Sequence, residues 1–327
     1  MDNTEGNIGK RFARYKAGGG MFGWMLLRSE FYTGPTFHLE GNRLVHKDLT
    51  GTLADFDGLA ERLDGAKAEE EVVVTLENAL PPTYDRAIVH AVGLNSPKHK
   101  IACGFGEAKP LIPSMFAKTA RITTYGDPVY LMFPDDIGPN HNRVDPEVEV
   151  AVIIGKDAFN VSAIDAMKCV AGFGVIIDYA DRGVQLVDVN QGETGIKRFA
   201  PFGQWWMGKS GRGYSPMAPT FAFVNDPYEL SLEMDVNGKP QQRLTRIGDD
   251  IFFRVAEIIE FKSHRGGLYA GDVIAMGSTN GVEVEKVLSQ PGGVANYMRG
   301  GYIIEGRIPG VGKVRNMVVP RDYQKAA

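Results

Sequence analysis

The stretch that decides the fold reads DPEVEVAVIIG, from Asp145 to Gly155. Successive side chains of a β-strand point to opposite faces of its sheet. The three valines of this stretch therefore share one face, whereas Glu147 and Glu149 share the other face with Ala151 and Ile153. The alternation predicts a strand that presents two carboxylates, about 7 Å apart, among apolar neighbours.

The charge of these two carboxylates has to be balanced if the strand is buried. Removing them from water is unfavourable unless a positive group compensates. A divalent cation is a common partner, because hard cations prefer carboxylate oxygens as ligands. The alternative is an exposed strand face on which Glu147 and Glu149 are simply hydrated.

A third acid, Asp178, ends the apolar run 174–177. An aspartate at a strand end can supply a third oxygen ligand to the same cation. Arg182 and Gln185 follow it closely enough to reach an anionic substrate beside the metal. The alternative is that Asp178 only caps the turn after its strand.

The segment Gly208-Lys209-Ser210 is superficially similar to a phosphate-binding loop, but the upstream glycine of that motif is missing. Lysines in such segments are commonly surface residues. Beside a metal site, Lys209 would instead hold negative charge that develops on the substrate. Both interpretations remain open at this point.

The remaining sequence predicts many short strands and few helices. Short apolar runs separated by glycines and prolines indicate a strand-dominated mixed α/β fold. The two prolines at 81–82 indicate a hinge between a small N-terminal β/α domain, residues 1–82, and a larger domain, residues 83–327. We expect the small domain and the segment 192–203 to shape substrate specificity.

Two helices are predicted from apolar residues at helical spacing. The first runs from Thr52 to about Leu63. The second runs from Ile251 to about Lys262, and Asp249 or Asp250 is positioned to cap its N-terminus.

The composition excludes several classes of protein. The net charge of the 327 residues is −4 and basic residues are not clustered, which is unlike a nucleic-acid-binding protein. No apolar run approaches the roughly 20 residues that span a bilayer, and no secretory signal is visible. Cys103 and Cys169 are the only cysteines, so a disulfide scaffold is excluded. We therefore expect a cytoplasmic protein that binds neither nucleic acid nor membrane.

Seven motifs in register resemble the fumarylacetoacetate hydrolase superfamily, in particular its prokaryotic 2-oxo acid or acylpyruvate hydrolases. The resemblance covers roughly Pro81 to Val319. Its motifs are a Gly-x-Asn-type segment at 93–99, Glu-x-Glu at 147–149, an acid-Arg-Gln segment at 178–185, Gly-Lys-Ser at 208–210, Asn-Gly with the following helix at 237–252, Gly-Asp at 271–278 and Gly-x-Gly-x-x-x-Asn at 310–316.

The resemblance implies a β-roll catalytic domain, usually a homodimer, that binds Mg²⁺ or Mn²⁺. The implied metal ligands are Glu147, Glu149 and Asp178. Substrates of the family are 2-oxo or 1,3-diketo acids, which pass through an enolate-like species. The implied substrate-binding residues are Arg182, Gln185 and Ser278, and the implied catalytic residues are His99 and Lys209.

The histidine segment departs from the family pattern. Hydrolytic members carry a glutamate three residues after the histidine, and this chain has Ala102 there. The nearest acid is Glu107, so a water-activating His–Glu pair is not evident. The leading hypothesis is a hydrolase of C–C bonds in acylpyruvate-like or diketo acids, with His99 acting on water. The alternatives are a decarboxylase or keto–enol tautomerase, and a non-catalytic oxo-acid-binding protein.

Overall fold

The computed structural model describes residues 6–45, 57–133, 142–185, 205–289 and 293–321. Its strands are β1 Ile8–Gly18, β2 Met21–Thr33, β3 Thr36–Val45, β4 Lys67–Val74, β5 Ala79–Leu80, β6 Val89–Gly93, β7 Ser114–Lys118, β8 Ile122–Thr123, β9 Val129–Tyr130, β10 Val144–Ile154, β11 Val170–Asp181, β12 Ser215–Val224, β13 Leu232–Val236, β14 Lys239–Leu244, β15 Val273–Ala275, β16 Ile303–Ile308 and β17 Gly312–Val319. The helices are short, and they span Leu59–Gly65, Pro97–Ala102, Ala163–Ala166, Arg182–Gln185, Trp205–Lys209, Val255–Ser263 and Glu283–Leu288.

The strands form two sheets, which confirms the predicted strand-dominated α/β class. The larger sheet has the order β4-β3-β2-β1-β12-β11-β10-β15-β6-β7, with β5 beside β1 and β8 beside β12. The smaller sheet has the order β14-β13-β16-β17-β9. Gly306 of β16 lies against Val148 and Ile177, where a Cβ would come within 2.9 Å and 3.1 Å of their side chains. The two sheets therefore pack closely face to face.

Strand β10 is buried along its whole length, and its two faces pack in different cores. Val148, Val150 and Val152 belong to the core between the two sheets. Ala151 and Ile153 belong to a second core on the opposite face of the larger sheet. The predicted alternation of this strand is confirmed, and Glu147 and Glu149 lie on the second face.

The N-terminal strands continue the larger sheet across the predicted domain boundary. Strand β1 pairs antiparallel with β12, so Phe12 lies opposite Phe221. The ring of Trp24 on β2 also packs edge-on against Phe221, with centroids 5.7 Å apart. The division at residue 82 stays a prediction, but the sheet is continuous there. In the predicted first helix, residues 52–56 lie outside the described residues, and the observed helix is Leu59–Gly65.

The predicted cap of the second helix is wrong. The helix spans Val255–Ser263, and its N-cap is Arg254, whose N–H donates to the Glu257 side chain. Asp250 is buried, and its carboxylate accepts hydrogen bonds from Ser96 and Thr279, which lie far away in sequence. The Asp250 carboxylate is therefore engaged in hydrogen bonds with distant segments and does not cap the helix. None of the helices formed by the described residues has the length and apolarity that a membrane crossing requires.

Candidate active site

Three carboxylates converge where β10 and β11 run side by side. The antiparallel register places Glu147 directly opposite Asp178, and Glu149 lies two residues further along β10. All three are almost completely buried, with relative exposures of 5%, 1% and 3% respectively. The strand pairing therefore explains why acids from two separate motifs share one site.

Lys209 lies between two of these acids. Its Nζ contacts Glu147 and donates to Asp178 Oδ2 at 2.6 Å. The preceding Gly208 allows this approach, since a Cβ there would lie 2.9 Å from Gln185 Cβ. The surface alternative for Lys209 does not hold, because only 3% of the residue is exposed.

A second buried lysine, Lys118 of β7, was missed by the sequence analysis. Its Nζ contacts Asp178 Oδ1 and donates to the carbonyl oxygens of Tyr179 at 3.2 Å and Tyr214 at 2.7 Å. Burial lowers the pKa of Lys118, and the charge of Asp178 opposes that shift. Its signal in the sequence is weak, because β7 is short and otherwise half exposed.

Arg182 is held by acids instead of pointing freely toward a substrate. Its Nε donates to Asp145 at 3.0 Å, one terminal nitrogen lies 3.1 Å from Glu147, and the other donates to Gln185 Oε1 at 2.7 Å. Burial opposes its charge, but Glu147 and Asp145 outweigh burial and raise the pKa of Arg182. Arg182 and Gln185 both line the cavity, where Arg182 pairs with two acids and with the Gln185 side chain. Their predicted contact with a substrate stays a prediction.

Glu149 differs from the other two acids because no cation contacts it among the described residues. Its Oε2 accepts one hydrogen bond, from the N–H of Gly277 at 2.6 Å. Burial, followed by the charges of Asp178 and Glu147, raises the pKa of Glu149 well above its usual value. A buried carboxylate with an oxygen facing a cavity is suited to a hard cation. The donor set of Glu147, Glu149 and Asp178 therefore fits Mg²⁺ or Mn²⁺.

His99 does have a glutamate partner, and it comes from a distant part of the chain. The helix Pro97–Ala102 is capped by Ser96, whose Oγ accepts from the N–H of His99. His99 Nδ1 lies 2.6 Å from Oε1 of Glu285, and His99 Nε2 lies 3.7 Å from Oε1 of Glu147. Glu107, the acid nearest in sequence, is exposed. The His–Glu pair that the local motif lacks is thus formed with Glu285, 186 positions away.

Asp145 of strand β10 fixes the helix Glu283–Leu288 to that strand. This aspartate is fully buried and accepts from the backbone N–H groups of Glu283 and Val284 at 3.0 Å each, in addition to its bond with Arg182. Glu285 itself accepts a second hydrogen bond through Oε2, from the N–H of Gly281 at 2.9 Å. The orientation of the His99 partner is therefore set by β10.

His99, Cys103 and Glu285 also bring three ligand-type atoms within 4.8 Å of one another. The Cys103 sulfur lies 3.8 Å from Nδ1 and 3.7 Å from Nε2, so it packs across the ring instead of along one nitrogen lone pair. Nδ1 is occupied by Glu285. The family resemblance implies the three carboxylates as the cation site instead, and that placement stays a prediction. Burial lowers the pKa of His99, but its contacts with Cys103, Glu285 and Glu147 raise it to about 10.

A cavity of about 500 Å³ opens onto this site. Every site residue predicted from the sequence lines it, namely His99, Glu147, Glu149, Asp178, Arg182, Gln185, Lys209 and Ser278. Ser278 accepts a hydrogen bond from Gln242 at 2.7 Å. The segment 192–203, predicted to influence specificity, lies outside the described residues.

Comparisons with known proteins agree on one family. Residues 88–319, more than half of the chain, match the family model for the C-terminal domain of fumarylacetoacetate (FAA) hydrolase. The chain is 28% identical over 283 residues to a 2,4-didehydro-3-deoxy-L-rhamnonate hydrolase from a Sphingomonas species, covering 83% of this chain and 90% of that protein. It is 30% identical over 234 residues to an oxaloacetate tautomerase from Bacillus subtilis, covering 69% of this chain and 68% of that protein.

A solved structure shares the fold. A fumarylpyruvate hydrolase from Pseudomonas aeruginosa, crystallised with Mn²⁺ and pyruvate, superposes with a TM-score of 0.55 at 22% identity, covering 73% of this chain and 91% of that chain. At this identity the likeness concerns the fold alone.

Proposed function

Because the chain belongs to the fumarylacetoacetate hydrolase family, we propose that it is a divalent-metal-dependent hydrolase of a C–C bond in an acylpyruvate-like or diketo acid. The observation that carries this proposal is the His99–Glu285 pair, which lies beside three buried carboxylates in one cavity. A histidine oriented by a carboxylate is the usual device for activating water.

Glu147, Glu149 and Asp178 would hold the metal. When bound, Mg²⁺ or Mn²⁺ polarises the adjacent oxygens of a 2-oxo acid. Two oxygens of the site, Glu147 Oε1 and Glu149 Oε1, have no hydrogen-bond donor in the described part of the chain and remain available as ligands. The fumarylpyruvate hydrolase that shares the fold was crystallised with Mn²⁺ and pyruvate, and we choose this metal and a 2-oxo acid for the test on that ground.

The proposed reaction uses His99 as the base. Without a cation at the site, the pKa of His99 is about 10 and the ring carries both protons. A divalent cation held by the neighbouring Glu147 would lower this pKa by charge repulsion. The neutral ring would then donate Nδ1–H to Glu285 and leave Nε2 to take a proton from water. The water oxygen bonds to the acyl carbonyl carbon, and the bond between that carbon and C3 breaks. Its electron pair forms the pyruvate enolate, and Lys209 donates a hydrogen bond to the enolate oxygen. Protonation of C3 then gives pyruvate, and the acyl group leaves as a carboxylate.

A decarboxylase or keto–enol tautomerase of the same family is the second candidate. The 30% identity to an oxaloacetate tautomerase favours it, because that reaction needs the metal and the lysine but no attacking water. Both candidate reactions pass through an enolate. They differ in that only hydrolysis requires His99 to take a proton from an attacking water.

Incubation of the purified Mn²⁺-loaded protein with acylpyruvates and with oxaloacetate separates the two candidates. We expect pyruvate and a carboxylic acid to be released from the acylpyruvate, and the release to be lost in His99→Asn. Conversion of oxaloacetate alone, with no cleavage of acylpyruvates, would select the second candidate. Cleavage that persists in His99→Asn would contradict the proposed base.

A further inference from the structure

The walls of the cavity beyond the carboxylates are apolar. The side chains that line this part, called here the apolar wall, are Val92, Leu94, Phe105, Phe116, Trp205, Val284 and Leu288. The rings of Phe116 and Trp205 pack at 5.4 Å with a tilt of 34°. Gly93 makes room for this pair, since a Cβ there would lie 3.3 Å from the Trp205 ring.

The position of Phe105 at the mouth is fixed by a buried lysine. Lys100 is 9% exposed, and its Nζ donates to the carbonyl oxygens of Phe105 and Gly106 at 2.7 Å and 2.8 Å. Phe105 itself is 58% exposed and lines the cavity, so its ring is open to contact with a ligand. The positive charge of Lys100 is thus used to hold the loop instead of facing the cavity.

The cations that line the cavity, within the described residues, all lie at the metal end. Lys209 is engaged by Glu147 and Asp178, and Arg182 is engaged by Asp145. Among the described residues, a second carboxylate at the far end of a substrate would therefore meet only the apolar wall, which is unfavourable. An alkyl or aryl group would instead gain from leaving water there.

We propose that the substrate is a monocarboxylic 2-oxo or diketo acid whose acyl group is an apolar chain or ring, bound against the apolar wall. This inference rests on the proposed function, because it takes the carboxylates as the end that binds the 2-oxo acid. It distinguishes this chain from enzymes that act on diacids, such as the fumarylpyruvate hydrolase that shares its fold.

The test measures binding and cleavage separately. Binding of matched eight-carbon acids, 2-oxooctanoate and 2-oxosuberate, is measured by calorimetry on the Mn²⁺-loaded protein. We expect the monoacid to bind at least tenfold more tightly than the diacid. Along a series of 2-oxo acids, affinity should rise by about fourfold for each added methylene until the wall is filled. Equal affinity for the two acids, or tighter binding of the diacid, would overturn the proposal.

A variant of the apolar wall, with a matched control, tests whether this wall causes the preference for the monoacid over the diacid. Leu288 is 37% exposed at the mouth, so Leu288→Arg should fold, and we expect it to reverse the preference in favour of the diacid. Leu76 is equally exposed, at 39%, but does not line the cavity, so Leu76→Arg should leave the preference unchanged. An unchanged preference in Leu288→Arg would contradict the placement of the tail. If monoacids bind tightly but no acylpyruvate is cleaved, the proposed hydrolysis fails while the substrate class stands.

Discussion

At the scale of single residues, Lys118 and Lys209 both contact Asp178 but have different roles. Lys209 lies at the cavity surface, where it can turn toward a substrate oxygen while Lys118 keeps Asp178 paired. Lys118 is fully buried and also holds two backbone carbonyls, so it cannot leave its place. Lys209 is therefore suited to chemistry, whereas Lys118 holds Asp178, a proposed metal ligand, in position.

Replacing Lys118 with methionine should lower the free energy of unfolding by about 3 kcal/mol, because a buried carboxylate and two carbonyls lose their donor. Urea denaturation of the metal-free protein measures the loss. Lys156→Met is the matched control, since the Lys156 side chain is 41% exposed and pairs with the exposed Glu61. A loss no larger than that of the control would contradict the structural role of Lys118.

Glu149 allows binding and stability to be separated. Glu149→Gln keeps the volume but removes the charge, so we expect Mn²⁺ binding to be lost by calorimetry. The metal-free variant should be at least as stable as the wild-type protein, because the buried acid with no cation partner is gone. Unchanged Mn²⁺ affinity would disprove the assignment of this ligand, and destabilisation would contradict the energetic cost attributed to burying this acid without a cation partner.

At the scale of elements, the helix Glu283–Leu288 supplies the carboxylate partner of His99. The family pattern leads one to expect that partner three residues after His99. The helix is anchored on Asp145 and directs Glu285 onto the imidazole. Short-range motifs cannot reveal such a pair, because the two residues belong to different segments. Two of the proposed metal ligands, Glu147 and Glu149, could be placed on one face from strand alternation alone. Asp178 was named from its place at a strand end and from the family resemblance, and the register shows that it lies opposite Glu147.

The variant Glu285→Gln tests this replacement. The amide oxygen can still accept from His99, but the negative charge is lost, so we expect kcat to fall by roughly a hundredfold or more. KM and Mn²⁺ affinity should change little, because Glu285 does not bind the metal in this assignment. Glu107→Gln is the control with the acid named from sequence alone, and its kcat should equal that of the wild type. The opposite pattern would return the role to Glu107.

At the scale of the whole molecule, the first three strands extend the sheet that carries the site. Composition and the prolines at 81–82 predicted a separable unit, since breaks in sequence pattern are visible locally. The pairing of β1 with β12 is not visible in this way, because it joins residues more than 200 positions apart. The fold class was therefore accessible from the sequence, whereas the continuity of the sheet was not.

A fragment of residues 83–327 should fail to unfold cooperatively, because its β12 edge and Phe221 would lose β1 and the rings of Phe12 and Trp24. Thermal denaturation followed by circular dichroism is the measurement. In the full chain, Phe12→Ala should cost about 3–5 kcal/mol. A fragment with a sharp transition and bound Mn²⁺ would instead support an independent domain boundary at residue 82.

The long separation of His99 and Glu285 has a consequence for the timing of activity during synthesis. At roughly 5–20 residues per second, a ribosome adds Glu285 on the order of ten seconds or more after His99. Until then the imidazole lacks its carboxylate, although the three proposed metal ligands have already been made. Under the proposed function, a chain that ends before Glu285 would therefore carry those three acids but lack the group that orients His99.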